Sequence, residues 1–149
     1  MQNNLTINKG YQLTPTMQRV ADVLNELGIV HEVFGEKTIS MCLTEDNVFV
    51  STTIMESNNG QRLLYLARTK GLVFDNEIFA VVQDIISEIN NKITYGHVSL
   101  GTVGDDCIAL YKCYSPVDLI TVDEIRFNLN ACNYMVHKFF SSFEHLKKN

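Results

Sequence analysis

Hydrophobic residues recur every three or four positions in three segments of the chain, which is the spacing of one helix face. The first segment begins at Thr14-Pro15, because threonine caps a helix well and proline is tolerated at the first helical position. It ends at Gly28, which supplies a left-handed stop. The apolar face of this predicted helix consists of Met17, Val20, Ala21, Leu24 and Leu27.

A second helix is predicted after Asp75 or Asn76, either of which can cap it. Its core line is Ile78, Val82, Ile85 and Ile89, flanked by Phe79 and Ile86.

The last helix has the clearest signal. Thr121 and Glu124 match a capping box, in which each side chain accepts the other residue's free backbone N–H. One apolar stripe follows, made of Ile125, Leu129, Cys132, Val136, Phe139, Phe143 and Leu146. A long helix lying on a sheet explains this stripe. An intermolecular coiled coil is the alternative, although the stripe is short for one.

Alternating and β-branched residues predict five strands. They cover residues 30–43, 48–54, 62–68, 98–100 and 107–114, with turns at Asp46-Asn47, Asn59-Gly60 and Gly104-Asp105. The prediction is therefore an α+β fold with the order helix, three strands, helix, two strands, helix. Its antiparallel five-stranded sheet packs against the helices. Residues 1–13 are predicted to form an N-terminal tail, and residues 14–149 a single domain.

The composition fits one globular domain and narrows the range of partners. Of 149 residues, 46% are hydrophobic and 19% are charged, which is enough apolar material for a core. The formal net charge of -5 disfavours binding to phosphate backbones, so no nucleic-acid partner is expected. The first residues lack the basic start and apolar core of a signal peptide, and no apolar run would span a bilayer. We therefore expect a cytoplasmic protein with no membrane partner.

The residue types that carry chemistry form no recognisable site. Cys42, Cys107, Cys113 and Cys132 include no Cys-x-x-Cys pair and no zinc-finger spacing, and we expect them to be reduced and mostly buried. His31, His97, His137 and His145 match no zinc protease motif and are expected at the surface or partly buried. No phosphate-binding loop or nucleophile elbow occurs. The sequence thus predicts no catalytic residue, no metal and no cofactor.

A second stripe on the last helix remains after the core is assigned. Phe127, Ala131 and Tyr134 lie nearly opposite the core stripe, where surface helices usually carry polar residues. Loops or the N-terminal tail could cover them, or they could be scattered exposed residues. The sharper hypothesis is a partner-binding surface, since exposed aromatic residues anchor interfaces.

One stretch resembles a known family. Residues 89–100, with the sequence INNKITYGHVSL, look like a helix ending in asparagine followed by a glycine before a strand. This pattern, the strand after it, Pro116 and the long last helix resemble the type III secretion chaperone-like fold, and within it the YbjN family of proposed bacterial sensory transduction regulators. The resemblance implies a homodimer or a protein-binding adaptor in the bacterial cytoplasm. It further implies Phe79 and Ile86 as candidate dimer contacts.

Together these observations predict a non-enzymatic protein-binding module, chaperone-like or regulatory, that acts as a homodimer through protein–protein contacts. The alternative is a small-ligand sensor domain with a pocket between sheet and helices.

Overall fold

A computed structural model describes residues 4–148 and shows a mixed α+β fold, as predicted. The helices are α1 (Pro15–Glu26), α2 (Phe79–Asn90) and α3 (Val122–Phe139). The strands are β1 (Thr6–Asn8), β2 (His31–Gly35), β3 (Thr38–Glu45), β4 (Val48–Glu56), β5 (Arg62–Thr69), β6 (His97–Val103) and β7 (Asp106–Pro116). Short 3-10 segments cover Asn76–Ile78, Val117–Leu119 and Phe140–Leu146. No helix within residues 4–148 is long and apolar enough to cross a membrane.

The sheet has seven strands in the order β1-β2-β3-β4-β5-β7-β6, so the prediction of a five-stranded sheet is wrong in strand number. It is also not wholly antiparallel, because β1 pairs with β2 in parallel. The region predicted as one strand over residues 30–43 is a hairpin of β2 and β3, joined by Glu36-Lys37. That turn lacks the Asn-Gly signal that marks a tight hairpin in a sequence.

Strand β1 lies inside the segment predicted to be an N-terminal tail. Besides its pairing with β2, it is attached through side chains: Asn25 Oδ1 accepts from the Leu5 N–H at 2.8 Å, and Thr6 Oγ1 lies 2.7 Å from His31 Nε2. The His31 N–H also donates to the Leu5 carbonyl. Residues 5 to 8 are thus tied to the sheet. That residues 14–149 form one domain stays a prediction.

The helix starts follow the predicted caps. Thr14 Oγ1 accepts from the Met17 N–H at 3.2 Å, and Thr121 Oγ1 accepts from the Glu124 N–H at 3.1 Å. Asp75 instead caps the short 3-10 turn that precedes α2. The last helix is shorter than predicted, because the backbone tightens into the 3-10 segment after Phe139 while its apolar residues continue into the core.

All three helices pack onto one face of the sheet and share a single buried cluster. From the sheet, this cluster takes residues such as Ile39, Ile54, Tyr65 and Tyr111, which the strand registers place in neighbouring rows. The alternate strand residues point the other way and stay outside the cluster. We call this second side the bare face; its members include Phe34, Ser40, Cys42, Ser51, Leu64, Leu66, Arg68, Leu110 and Lys112.

The stretch that resembles the YbjN family forms the junction between α2 and β6. The Asn90 side chain donates to the Val98 carbonyl at 2.8 Å and accepts from the Val98 N–H at 2.7 Å. Gly96, with φ of 75°, turns the chain beside the hydroxyl of Tyr111, which donates to the Tyr95 carbonyl at 2.7 Å. The asparagine and the glycine therefore have defined structural roles.

Candidate partner-binding surface

Phe127, Ala131 and Tyr134 line one side of α3 that faces away from the sheet. Phe127 is 54% exposed and Tyr134 is 57% exposed, whereas Ala131 is half-buried. The sheet takes the opposite side of the helix through Ile125, Leu129, Cys132 and Val136. The described part of the chain thus leaves more than half of each aromatic residue exposed. We call these three residues the α3 outer face.

Tyr95 extends this surface at its Phe127 end. The two rings meet edge to face, with their centroids 5.3 Å apart. The Tyr95 hydroxyl donates to Oδ1 of the buried Asn128 at 2.5 Å, and the Asn128 amide donates to the Glu124 carbonyl at 2.9 Å. Desolvation raises the pKa of Tyr95 to about 12, so its hydroxyl remains a hydrogen-bond donor well into the alkaline range.

Sequence reasoning missed Tyr95 as part of this surface, because it lies in the loop before β6 and far from α3 along the chain. The helical spacing that reveals the α3 outer face contains no information about a loop residue that reaches it through tertiary packing. The one signal in the sequence that could have pointed to Tyr95 is its position next to the glycine of the 89–100 stretch.

The Tyr134 end of the α3 outer face has a polar rim. Lys138 Nζ donates to the Tyr134 hydroxyl at 3.3 Å. A shallow hollow of about 260 Å³ lies beside the ring and is lined by Glu45, Asp46, Asn130, Asn133, Tyr134 and His137. An aromatic centre with a polar rim is the usual anatomy of a protein–protein interface.

The two candidate dimer contacts on α2 do not share a surface. Phe79, the first residue of α2, is 45% exposed. Ile86 is 7% exposed and belongs to the buried cluster. Of the pair, only Phe79 is therefore accessible in the chain as described.

The thiols and imidazoles are dispersed. Cys42 is exposed while the other three cysteines are buried and free, which matches the expectation of mostly buried thiols. The expectation for the histidines is wrong for His31, which is 1% exposed. Its burial is tolerated because both ring nitrogens have partners, Thr6 Oγ1 and the Ile29 carbonyl. Within residues 4–148, no group of three or more His, Cys, Asp or Glu side chains is placed to hold a metal ion.

Residues 4–148 form an α+β fold of three α-helices and a seven-stranded sheet, and comparison with known proteins agrees with the resemblance noted in the sequence. No protein-family model matches the chain, and no curated protein matches it significantly. Among solved structures, it is similar to the crystal structure of YbjN from E. coli, a proposed transcription regulator. The TM-score is 0.67 at 14% identity, and the match covers 93% of this chain and 100% of that chain. The likeness shows a YbjN-like fold.

Proposed function

We propose that the chain is a non-enzymatic, regulatory or chaperone-like module of the bacterial cytoplasm that binds proteins through the α3 outer face, and that a second copy of the chain is one such partner. The observation that carries this proposal is the pair of aromatic rings, Phe127 and Tyr134, each more than half exposed on one side of the same helix. The similarity in fold to YbjN, a proposed regulator, supports the regulatory part.

The energetics favour binding at this surface over simple exposure. A fully covered aromatic side chain buries about 150–250 Å², of which somewhat more than half is still exposed at Phe127 and Tyr134, and tyrosine contributes both an apolar ring and a polar end. Phe127 is held against Tyr95, and Tyr134 is held by Lys138, so ordering these side chains on binding costs little additional entropy. Preformed aromatic residues of this kind supply much of the binding energy in known interfaces.

The test is the mass of the protein in solution, measured by sedimentation velocity over a range of concentrations. The wild-type chain of 16.9 kDa is expected to sediment as a dimer. The double variant Phe127→Ser and Tyr134→Ser is expected to sediment as a monomer, because both rings leave the interface. Tyr11→Ser is the matched control: this tyrosine is 49% exposed but lies outside the α3 outer face, so the dimer should persist.

A second variant separates the two candidate contact regions. Phe79→Ser removes the accessible aromatic residue of α2 and is expected to leave the dimer intact. A dimer that survives loss of Phe127 and Tyr134 but dissociates in Phe79→Ser would assign the contact to α2 instead. A wild-type chain that stays monomeric at every concentration would refute the homodimer.

A further inference from the structure

A groove of about 450 Å³ lies on the bare face of the sheet, on the opposite side from the helices. Five strands contribute to it, so its residues are scattered along the sequence: Ile7, Val30, His31, Glu32, Phe34, Ser40, Met41, Cys42, Ser51, Arg68 and Lys70. Its volume falls within the range of about 300–1,000 Å³ typical of small-molecule sites. The sequence predicted a ligand pocket between sheet and helices, and this groove has a different location.

The floor of the groove is a cross-strand row of side chains. Cys42 pairs with Ser51, and Ser51 pairs with Arg68, so these three residues lie side by side on the same face. Because cysteine and serine are small, the long Arg68 side chain has room to extend along the groove. The neighbouring row contributes the hydroxyl of Ser40, which is hydrogen-bonded to Thr53 at 2.8 Å.

Arg68 brings an uncompensated positive charge into this groove. Its Nη1 atom is buried and has no hydrogen-bond partner within residues 4–148. None of the ion pairs in this part of the chain includes Arg68 or Lys70. The Arg68 side chain as a whole is only partly buried, so its other donors face the groove, where an anionic ligand would supply an acceptor.

The charges around the groove favour a ligand with a single negative charge. Two cations, Arg68 and Lys70, line it together with one carboxylate, Glu32, which leaves one positive charge in excess. Burial lowers the pKa of His31, so its imidazole adds no charge at neutral pH. This local excess contrasts with the net charge of -5 of the whole chain.

The remaining wall of the groove is apolar and open to solvent. Ile7, Val30 and Phe34 are 47%, 55% and 55% exposed, and all three line the groove. An apolar ligand portion that covered them would remove this surface from water, which is favourable in proportion to the area buried. The groove therefore pairs a cationic floor with a hydrophobic wall.

We propose that this groove binds a small organic carboxylate, with the carboxylate group on Arg68 and an alkyl or aryl portion against Ile7, Val30 and Phe34. Arginine holds a carboxylate through two parallel hydrogen bonds, which suits a guanidinium group that has a donor unused. The proposal goes beyond the protein-binding role and uses a different face of the molecule, so either can fail without the other.

Octanoate serves as the probe, with 1-octanol as its uncharged counterpart and acetate as the carboxylate without the chain. The readout is alkylation of Cys42 by iodoacetamide, followed by intact-mass spectrometry, because Cys42 lines the groove and is the exposed cysteine. Octanoate is expected to slow the reaction in a saturable way. Octanol and acetate are expected to act at least about tenfold more weakly, since octanol lacks the carboxylate and acetate lacks the alkyl chain.

The deciding variant is Arg68→Gln, which should weaken octanoate binding by about tenfold or more. Arg62→Gln is the matched control, because Arg62 lies on the same strand and face but stacks on Tyr114, 4.8 Å from the ring centroid. If Arg68→Gln loses its fold by circular dichroism, Arg68→Lys provides the same test by removing the planar fork. Equal protection by octanoate and octanol, or unchanged octanoate affinity in the folded Arg68 variant, would overturn the proposal.

Discussion

Gly96 is the position at which the fold leaves least room for a side chain. Its φ of 75° disfavours every residue with a Cβ, and a Cβ there would collide with the Lys112 carbonyl and the Tyr111 hydroxyl. Gly104 offers the comparison: its φ is 59°, but nothing lies within 4 Å of the added atom. Substitutions at these two glycines therefore distinguish the cost of backbone strain, present at both, from the cost of steric collision, present only at Gly96.

We expect Gly96→Ala to lower the free energy of unfolding by about 2–4 kcal/mol, because the β6–β7 pairing must shift to admit the methyl group. Gly104→Ala should cost only about 1 kcal/mol, the strain term alone. Urea denaturation followed by far-ultraviolet circular dichroism measures both. Equal losses in the two variants would contradict the collision at Gly96.

Thr52 is a buried polar residue whose hydroxyl lacks a partner. It is fully buried on the helix side of the sheet, and its hydroxyl has no hydrogen-bond partner within residues 4–148. Thr53, next along β4, points to the bare face and bonds to Ser40 at 2.8 Å. A buried hydroxyl without a partner destabilises the folded state.

Thr52→Val should therefore raise the free energy of unfolding by about 1 kcal/mol, since valine has nearly the same shape and no hydroxyl to desolvate. Thr53→Val, the control, should bring no gain because it breaks an existing bond. The same urea titration compares them. A destabilised Thr52→Val protein would show that the hydroxyl has a partner, such as a bound water molecule.

At the scale of elements, a small polar network of side chains adds to the backbone pairing of β1 with β2. Thr6 accepts a hydrogen bond from the Asn25 amide at 3.2 Å and bonds to His31 Nε2, while His31 Nδ1 donates to the Ile29 carbonyl at 2.8 Å. Neutral imidazole satisfies this arrangement, with one nitrogen donating and the other accepting. Desolvation by burial lowers the pKa of His31 below its usual 6.5 and outweighs the bond to the Ile29 carbonyl, which acts in the opposite direction.

This lowered pKa links stability to pH. Below pH 6.5 the unfolded chain takes up a proton at His31 that the folded chain does not, so the contribution of this group is fully present above pH 6.5 and declines as the pH falls further. From about pH 8 to pH 5, the free energy of unfolding of the wild type should therefore fall relative to that of His31→Gln. A constant difference between the two proteins over this range would show that His31 does not titrate differently on folding.

The sequence predicted the helices and turns whose signals lie within their own residues. The apolar stripes of α1 and α3, the caps at Thr14 and Thr121, and the Asn59-Gly60 turn are local signals, and the structure contains each of them. Strand β1 has three residues, and only Ile7 is apolar, so it shows no alternation to detect. Its pairing depends on Asn25 and His31, which are distant in sequence.

The two candidate sites differ in the same way, because one lies within a single helix and the other is assembled from several strands. Phe127, Ala131 and Tyr134 lie on one helix, so their spacing alone revealed a shared face. The groove on the bare face takes residues from several strands. Its central residue, Arg68, lies in β5, whose sequence shows only the ordinary pattern of a strand and no sign of a binding site. Only the pairing register brings Arg68 beside Ser51 and Cys42.

At the scale of the whole molecule, the two proposed binding surfaces are separated by the sheet and its core. The α3 outer face is aromatic with a polar rim, which suits another protein surface. The groove on the bare face is concave and carries local positive charge, which suits a small anion. If both proposals hold, the chain binds a protein partner on the helical side while a ligand occupies the other side.

The side chain of Asn90 has a consequence for how copies of this chain can assemble. Open sheet edges invite edge-to-edge polymerisation, because their free N–H and C=O groups can pair with another chain. Asn90 occupies both of these groups at Val98, near the start of the outermost strand β6, with bonds of 2.8 and 2.7 Å. Pairing of another strand with β6 at Val98 would first have to displace that amide, so this part of the edge is closed to edge-to-edge association.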